Sequence, residues 1–174
     1  MILLEEFVAL GAPAWWGFLG LILFGRSMDL LSTWMATPNL VLEANPIARR
    51  LGWRAGVLVN LGLALGFACW PLLAISLSTT SLMVAARNLQ HAWLMRTMGE
   101  YPYRFWFSDR VAEAPRGLVL ACHLGEALLT GVVGGGLLLF ARFQLVPFAI
   151  GLGLFAYAVA IAVFTTLSIL RRSG

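Results

Sequence analysis

Within a hydrophobic run near the N-terminus stand Arg26, Asp29 and Thr33, spaced i, i+3, i+7, with Ser32 beside them. On a helix these positions share one face. A charge at mid-membrane depth costs at least about 2.5 kcal/mol on insertion scales, so such residues are paired, shielded in a bundle or functional. Arg26 and Asp29 at this spacing form an ion pair that lowers the cost of both. Just past the run lies Glu43-Ala44-Asn45-Pro46. Pro46 starts a helix or a tight turn, and Glu43 and Asn45 then sit at its mouth. Asn60 follows early in the next apolar run, at a depth that matches Asp29 across a short connection. Asp29, Thr33, Glu43, Asn45 and Asn60 are all oxygen donors, suited to a proton, Na⁺, Mg²⁺, Ca²⁺ or Mn²⁺ rather than copper. The plain alternative is a capped, hydrogen-bonded turn that locks two helices together.

A second group is His123 and Glu126 at i, i+3, with Thr130 continuing the stripe. A carboxylate beside an imidazole fixes its tautomer. Such a pair relays protons, binds a metal with help from another helix, or acts as acid and base. Its alternative is a buried polar pair that specifies how helices dock. The metal-ligand candidates are therefore His123, Glu126, Asp29 and Glu43.

Other chemistry is excluded or disfavoured. All twelve positive charges are Arg. Without Lys there is no retinal or pyridoxal Schiff base and no phosphate-loop lysine. His91 is the only other histidine, past the end of the second apolar run; a haem bridged by His91 and His123 would need a bent geometry and is disfavoured. No nucleophilic-serine motif, GxGxxG or HExxH occurs. Cys69 and Cys122 lie in apolar runs without CxxC spacing and read as buried structural thiols.

The elements that must position these groups follow from composition. The chain is 60% hydrophobic and 11% charged, against about a quarter charged in a soluble domain. At 174 residues it is too short to hide that surface in a core. Four segments meet the length of about twenty apolar residues that a spanning helix needs, near 14–37, 55–79, 117–140 and 147–170. The expectation is an all-α integral membrane four-helix bundle, one transmembrane domain over 1–174, in a bacterial inner membrane. The acidic start, MILLEEFVAL, lacks the basic region of a signal peptide, so the first apolar run reads as a retained span.

Orientation comes from Arg. The connection 80–116 holds Arg87, Arg96, Arg104, Arg110 and Arg116, and Arg171 and Arg172 follow the last span. Arg49, Arg50, Arg54 and Arg142 lie on the other side of a four-span chain. Seven against four places both termini in the cytoplasm. These clusters are topology signals, and no nucleic-acid partner is expected. Part of the connection, SLMVAARNLQHAWLMRTM, continues the second span as helix. The following GEYPYRFWFSDR is aromatic and basic, suited to a surface-lying segment at headgroup level or to a gate. Gly62/Gly66 and Gly131/Gly135 are small-residue pairs that pack helices within the bundle or join a second copy or a partner subunit. The uncharged fourth span faces lipid or a partner. With both termini inside, His123 and Asp29 lie at depths about 10 Å apart, which makes two polar clusters rather than one shared site.

Asp29-x-x-Ser32-Thr33 followed by Glu43-x-Asn45-Pro46 and an apolar span resembles an uncharacterised family of small bacterial and archaeal multi-span proteins. The likeness covers about residues 25–70. It implies a polar cluster linking the first two helices. The family pattern places a basic residue partway into the second span, where this chain has Asn60. The resemblance brings no activity with it. Three functions therefore stand side by side: a small carrier or channel component for protons, a hard cation or a small polar solute; a membrane-embedded metal-dependent enzyme acting on a lipid; and a non-catalytic accessory subunit.

Overall fold

The computed structural model describes residues 7–43, 45–142 and 144–170, with side chains through 164. Arg171 and Arg172, used above for orientation, lie outside them. Among the described residues all regular structure is helical: α1 (Pro13–Ala36), α2 (Pro46–Phe67), α3 (Pro71–Met98), α4 (Glu100–Glu113), α5 (Arg116–Phe140) and α6 (Leu145–Leu170). The α3 and α5 helices and residues 145–164 of α6 are long and apolar enough to cross a membrane. The α1 and α2 helices match them in length, 24 and 22 residues, but carry Arg26 and Asp29, and Arg49, Arg50 and Arg54.

The expected helix over 55–79 is two helices. Pro71 has no N–H, and its ring would clash with the carbonyl four residues earlier. It is therefore the first residue of α3, where its missing donor is harmless. The chain reverses over Ala68–Trp70, closed by Cys69 N–H to Gly66 O (3.2 Å) and Trp70 N–H to Phe67 O (3.0 Å). Val8 N–H donates to Cys69 O at 2.9 Å and ties the segment before α1 to this turn. Downstream, α3 does carry on through SLMVAARNLQHAWLMRTM as expected. Gly99, at φ 83°, then breaks the helix and starts α4. Within α2, Gly52 has φ 67° and ψ −176°, a conformation open to glycine alone, so the first turn is offset from the rest.

Side chains fix the directions. Gly25, Arg26, Ser32 and Thr33 of α1 meet Ser78, Ser81 and Asn88 of α3 in ascending order, so α1 and α3 are parallel. Ser76 and Thr80 of α3 donate to Ala149 O and Gly153 O of α6, so α6 is parallel too. Gly134 faces Phe155 and Gly151, and Ala127 packs with Tyr157 and Ile161, so α5 runs antiparallel to α6. The helices lie in the order α1, α3, α6, α5, with α2 leaning on α1 and touching α3. Consequently the start of α1 and the end of α6 lie at opposite ends of the bundle. The expectation of termini on one side rested on four runs; the reversal at 68–70 divides one of them into α2 and α3.

Two further expectations change. The apolar last helix is not peripheral; α6 is held between α3 and α5 and buries Ala149, Tyr157, Ala158 and Ile161. The Gly62/Gly66 pair meets nothing within 4 Å, whereas a Cβ on Gly134 would lie 2.7 Å from Phe155 N. Backbone approach in this chain therefore uses Gly25, Gly134 and Gly153. Of the two free thiols, Cys69 is buried and Cys122 is exposed.

Candidate binding cavity between the polar helices

Arg26 is the hub of the first cluster. It points from α1 into the junction of three helices. Nη1 donates to Asp29 Oδ2 at 2.9 Å and to Ser81 Oγ of α3 at 3.1 Å. Nε donates to Asn60 Oδ1 of α2 at 2.6 Å. The ion pair anticipated from the i, i+3 spacing is formed, with side-chain exposures of 24% and 16%. Asn60 holds its orientation by donating Nδ2 to Gly56 O at 2.8 Å, which leaves its carbonyl oxygen for the guanidinium. A basic residue at position 60, as the family pattern implies, would meet Arg26 head-on; an amide oxygen suits it.

The same face continues toward the end of α1. Ser32 Oγ bonds back to Asp29 O at 2.9 Å. Asn88 Nδ2 of α3 reaches Thr33 Oγ1 at 3.1 Å and Ser32 Oγ at 3.3 Å. Asn45 caps α2, accepting from Ile47 N–H at 2.9 Å and Ala48 N–H at 3.4 Å. Glu43 Oε1 accepts from Asn45 N–H at 2.8 Å. These two act as the capped turn that was the plain reading of the Glu-x-Asn-Pro motif.

In the second cluster, the structure pairs the residues differently from the sequence expectation. His123 Nδ1 lies 2.9 Å from Val119 O. A carbonyl only accepts, so Nδ1 is the donor in this contact. Glu126 turns instead to α3 and α6: Arg87 Nη2 is 3.6 Å from Oε2, and Tyr157 Oη donates to Oε1 at 3.3 Å. Thr130 Oγ1 bonds back to Glu126 O at 2.9 Å. A guanidinium opposite a carboxylate is the stronger partner, and the imidazole is satisfied by its own helix.

The first cluster and His123 of the second open onto one cavity of about 760 Å³. Arg26, Asp29, Thr33, Glu43, Asn45 and Asn60 line it from α1, α2 and their connection, and His123 lines it from α5. Between them stand Arg87 and Asn88 of α3 and Tyr157 of α6. The remaining wall is apolar, including Leu30, Val59, Leu63, Val84, Ile161 and Phe164. His123 thus shares a space with the first set, with polar groups of α3 between them. Ser32, Glu126 and Thr130 stand behind the lining and hold it. His91 is exposed on α3 and does not line the cavity.

The metal candidates do not converge. Among the described residues no three His, Cys, Asp or Glu side chains gather as an ion site. Asp29 is engaged by Arg26, Glu126 by Arg87 and Tyr157, and Glu43 by a backbone amide.

One carboxylate was not anticipated. Glu100, at the start of α4, is buried and accepts four hydrogen bonds from the connection after α1: Thr37 Oγ1 (2.6 Å), Asn39 N–H (2.8 Å), Asn39 Nδ2 (2.9 Å) and Val41 N–H (3.0 Å). Burial pushes its carboxyl up, but the donors from Thr37, Asn39 and Val41 together hold it below the ordinary value. Glu100 thus clamps the segment that carries Glu43 and Asn45 onto the end of α3.

No family model matches the chain, and neither a curated protein nor a solved structure matches it.

Proposed function

We propose that this chain is a multi-pass inner-membrane carrier, or the membrane component of one, for a small polar solute held in the cavity between α1, α2, α3, α5 and α6. The observation that carries this reading is a single space of about 760 Å³ lined by most of the first polar cluster together with Arg87, Asn88, His123 and Tyr157. That volume is the size of a small-molecule site, about 300–1,000 Å³, and far exceeds the coordination sphere of a bare cation. The lining charges are balanced, Arg26 and Arg87 against Asp29 and Glu43, as they must be at low dielectric. An embedded metal enzyme is less well supported, since the candidate ligands are dispersed and individually paired.

The helix directions support a topology of five crossings with α4 at the surface. Arg49, Arg50, Arg54, Arg96, Arg104, Arg110 and Arg116 then lie at or near one membrane face and Arg142 near the other. Seven against one among the described residues is a stronger asymmetry than four spans would give. It orients the α4 face to the cytoplasm and the start of α1 to the outside.

The test is a ligand screen followed by transport. Purified protein is scanned by thermal shift against amino acids, nucleosides, sugars and short carboxylic acids, and hits are carried into proteoliposome counterflow. Stabilisation and flux should both fall in Asp29→Asn and in Val84→Trp, which fills the cavity. A hit whose stabilisation and flux are untouched by both substitutions sinks the proposal.

The Arg26 contacts also favour a second reading, an accessory subunit, because one side chain joins three helices. In that case Asp29→Asn lowers folded yield, and no solute protects the wild type.

A further inference from the structure

We infer that the guest of this cavity is an amphiphile with a zwitterionic, amine-and-phosphate headgroup, which enters sideways from the bilayer between α2 and the α5–α6 pair. The inference rests on the cavity being the ligand site, and takes the small polar group held there to be the headgroup of a lipid in place of a free solute.

The entry route follows from packing. The α2 helix leans on α1 and touches α3 but does not pack along α5 or α6. Yet α2 and α5–α6 residues line the same space without packing on one another, and α4 borders it through Phe107 and Val111. The rims of that gap are apolar. Val59 and Leu63 on α2 and Phe164 on α6 line the cavity and are still 46%, 44% and 47% exposed. At the depth of helices that cross a bilayer, such an opening faces hydrocarbon rather than water. A water-soluble solute would not choose that route. A lipid tail would lie in it while the headgroup sits inside.

The headgroup chemistry follows from hydrogen-bonding capacity left on the wall. Arg26 uses Nε and Nη1 in its bonds to Asn60, Asp29 and Ser81, and Nη2 makes none of these bonds. Arg87 lines the cavity with Glu126 at 3.6 Å and the Tyr157 hydroxyl as its partners, and these leave part of its five N–H donors over. Guanidinium groups with donors to offer suit phosphate oxygens. Glu43 engages one oxygen with a backbone amide, and its second carboxylate oxygen makes no such bond. That oxygen accepts only from N–H or O–H, so it suits a primary ammonium and not a quaternary one. His123, whose Nδ1 is taken by Val119 O, presents its other ring nitrogen to the same guest. With two cationic and two anionic residues on the lining, a guest of zero net charge carrying both signs leaves no unbalanced charge in low dielectric.

The experiment uses the full chain in dodecyl maltoside. Thermal shift and native mass spectrometry are run with dioleoyl phosphatidylethanolamine, dioleoyl phosphatidylcholine, dioleoyl phosphatidylglycerol and free phosphoethanolamine. The ethanolamine lipid should bind about tenfold more tightly than the choline lipid, on the scale of one lost charged hydrogen bond. Arg87→Gln should weaken the ethanolamine lipid. Glu43→Gln should erase the preference over choline while the protein melts as before without lipid. Equal binding of all three lipids, or a preference untouched by Glu43→Gln, overturns the headgroup assignment. Free phosphoethanolamine binding as well as the lipid overturns the lateral route. If no lipid binds but soluble compounds from the screen still protect, this inference fails and the carrier reading stands; if nothing protects, both fail.

Discussion

Arg26 Nε donates to Asn60 Oδ1 at 2.6 Å, and through this contact the guanidinium that pairs with Asp29 on α1 also reaches the lightly packed α2. Replacing Asn60 by Leu leaves a partly buried cationic donor without its acceptor, a loss of about 1–3 kcal/mol. Asn60→Asp keeps an acceptor and should restore most of it. Denaturation midpoints in one detergent check the order wild type, Asp, Leu. Equal midpoints for all three would show that α2 does not depend on this bond.

Glu100 should behave as a clamp. Glu100→Ala strands the Thr37 hydroxyl and the Asn39 and Val41 amides, and a loss of roughly 2–4 kcal/mol is expected from several orphaned groups. Hydrogen exchange at residues 37–43 should rise most. The pH dependence has a definite sign. The folded carboxyl titrates below its ordinary value of 4.5, so the unfolded chain takes up this proton first as pH falls. The stabilisation is complete above 4.5 and is lost as pH drops through the folded pKa. Wild type should therefore lose stability on acidification below that range more steeply than Glu100→Gln does.

Two glycines should respond in opposite directions. A Cβ on Gly153 would lie 2.6 Å from Ser76 O and 2.7 Å from Thr79 Cβ, so Gly153→Ala must push α6 off α3. A Cβ on Gly62 meets nothing within 4 Å, and Gly62→Ala should gain up to about 1 kcal/mol of helix propensity. Thermal melts of the two variants, made side by side, decide the matter; destabilisation by Gly62→Ala would mean that α2 is covered by another chain.

Topology can be read directly. An N-terminal reporter active only outside the cytoplasm should be active, and a C-terminal fluorescent fusion should fluoresce inside. Termini on one side would reverse this odd count of crossings and leave α2 or α1 lying in the interface.

The helical nature of the chain was legible because apolar runs of spanning length leave no other choice. The Arg26–Asp29 pair was legible because i, i+3 spacing fixes it locally. The break at Pro71 was not, since Phe67-Ala68-Cys69-Trp70 is as apolar as the helices on either side and hydropathy runs through it. Pro71 marked the place, because Pro sits at a helix start far more readily than inside one. The missed break then put Ser81, Arg87 and Asn88 in a connection, whereas they lie on α3, the helix that stands between the two clusters. The His123–Glu126 pairing failed for a different reason: spacing on one helix says nothing of the stronger partner that Arg87 presents from another.

The turn at Ala68–Trp70 bears on biosynthesis. As the chain leaves the ribosome, α2 emerges with three arginines in its first half and only Ala64 destined for burial. Such a segment has little drive of its own to leave the translocation channel for lipid. Its partner in a tight hairpin, α3, follows after three residues and is apolar enough to insert alone. On the proposed five-crossing topology, membrane entry of α2 is deferred until α3 has been made, and a chain halted between them would leave α2 unanchored.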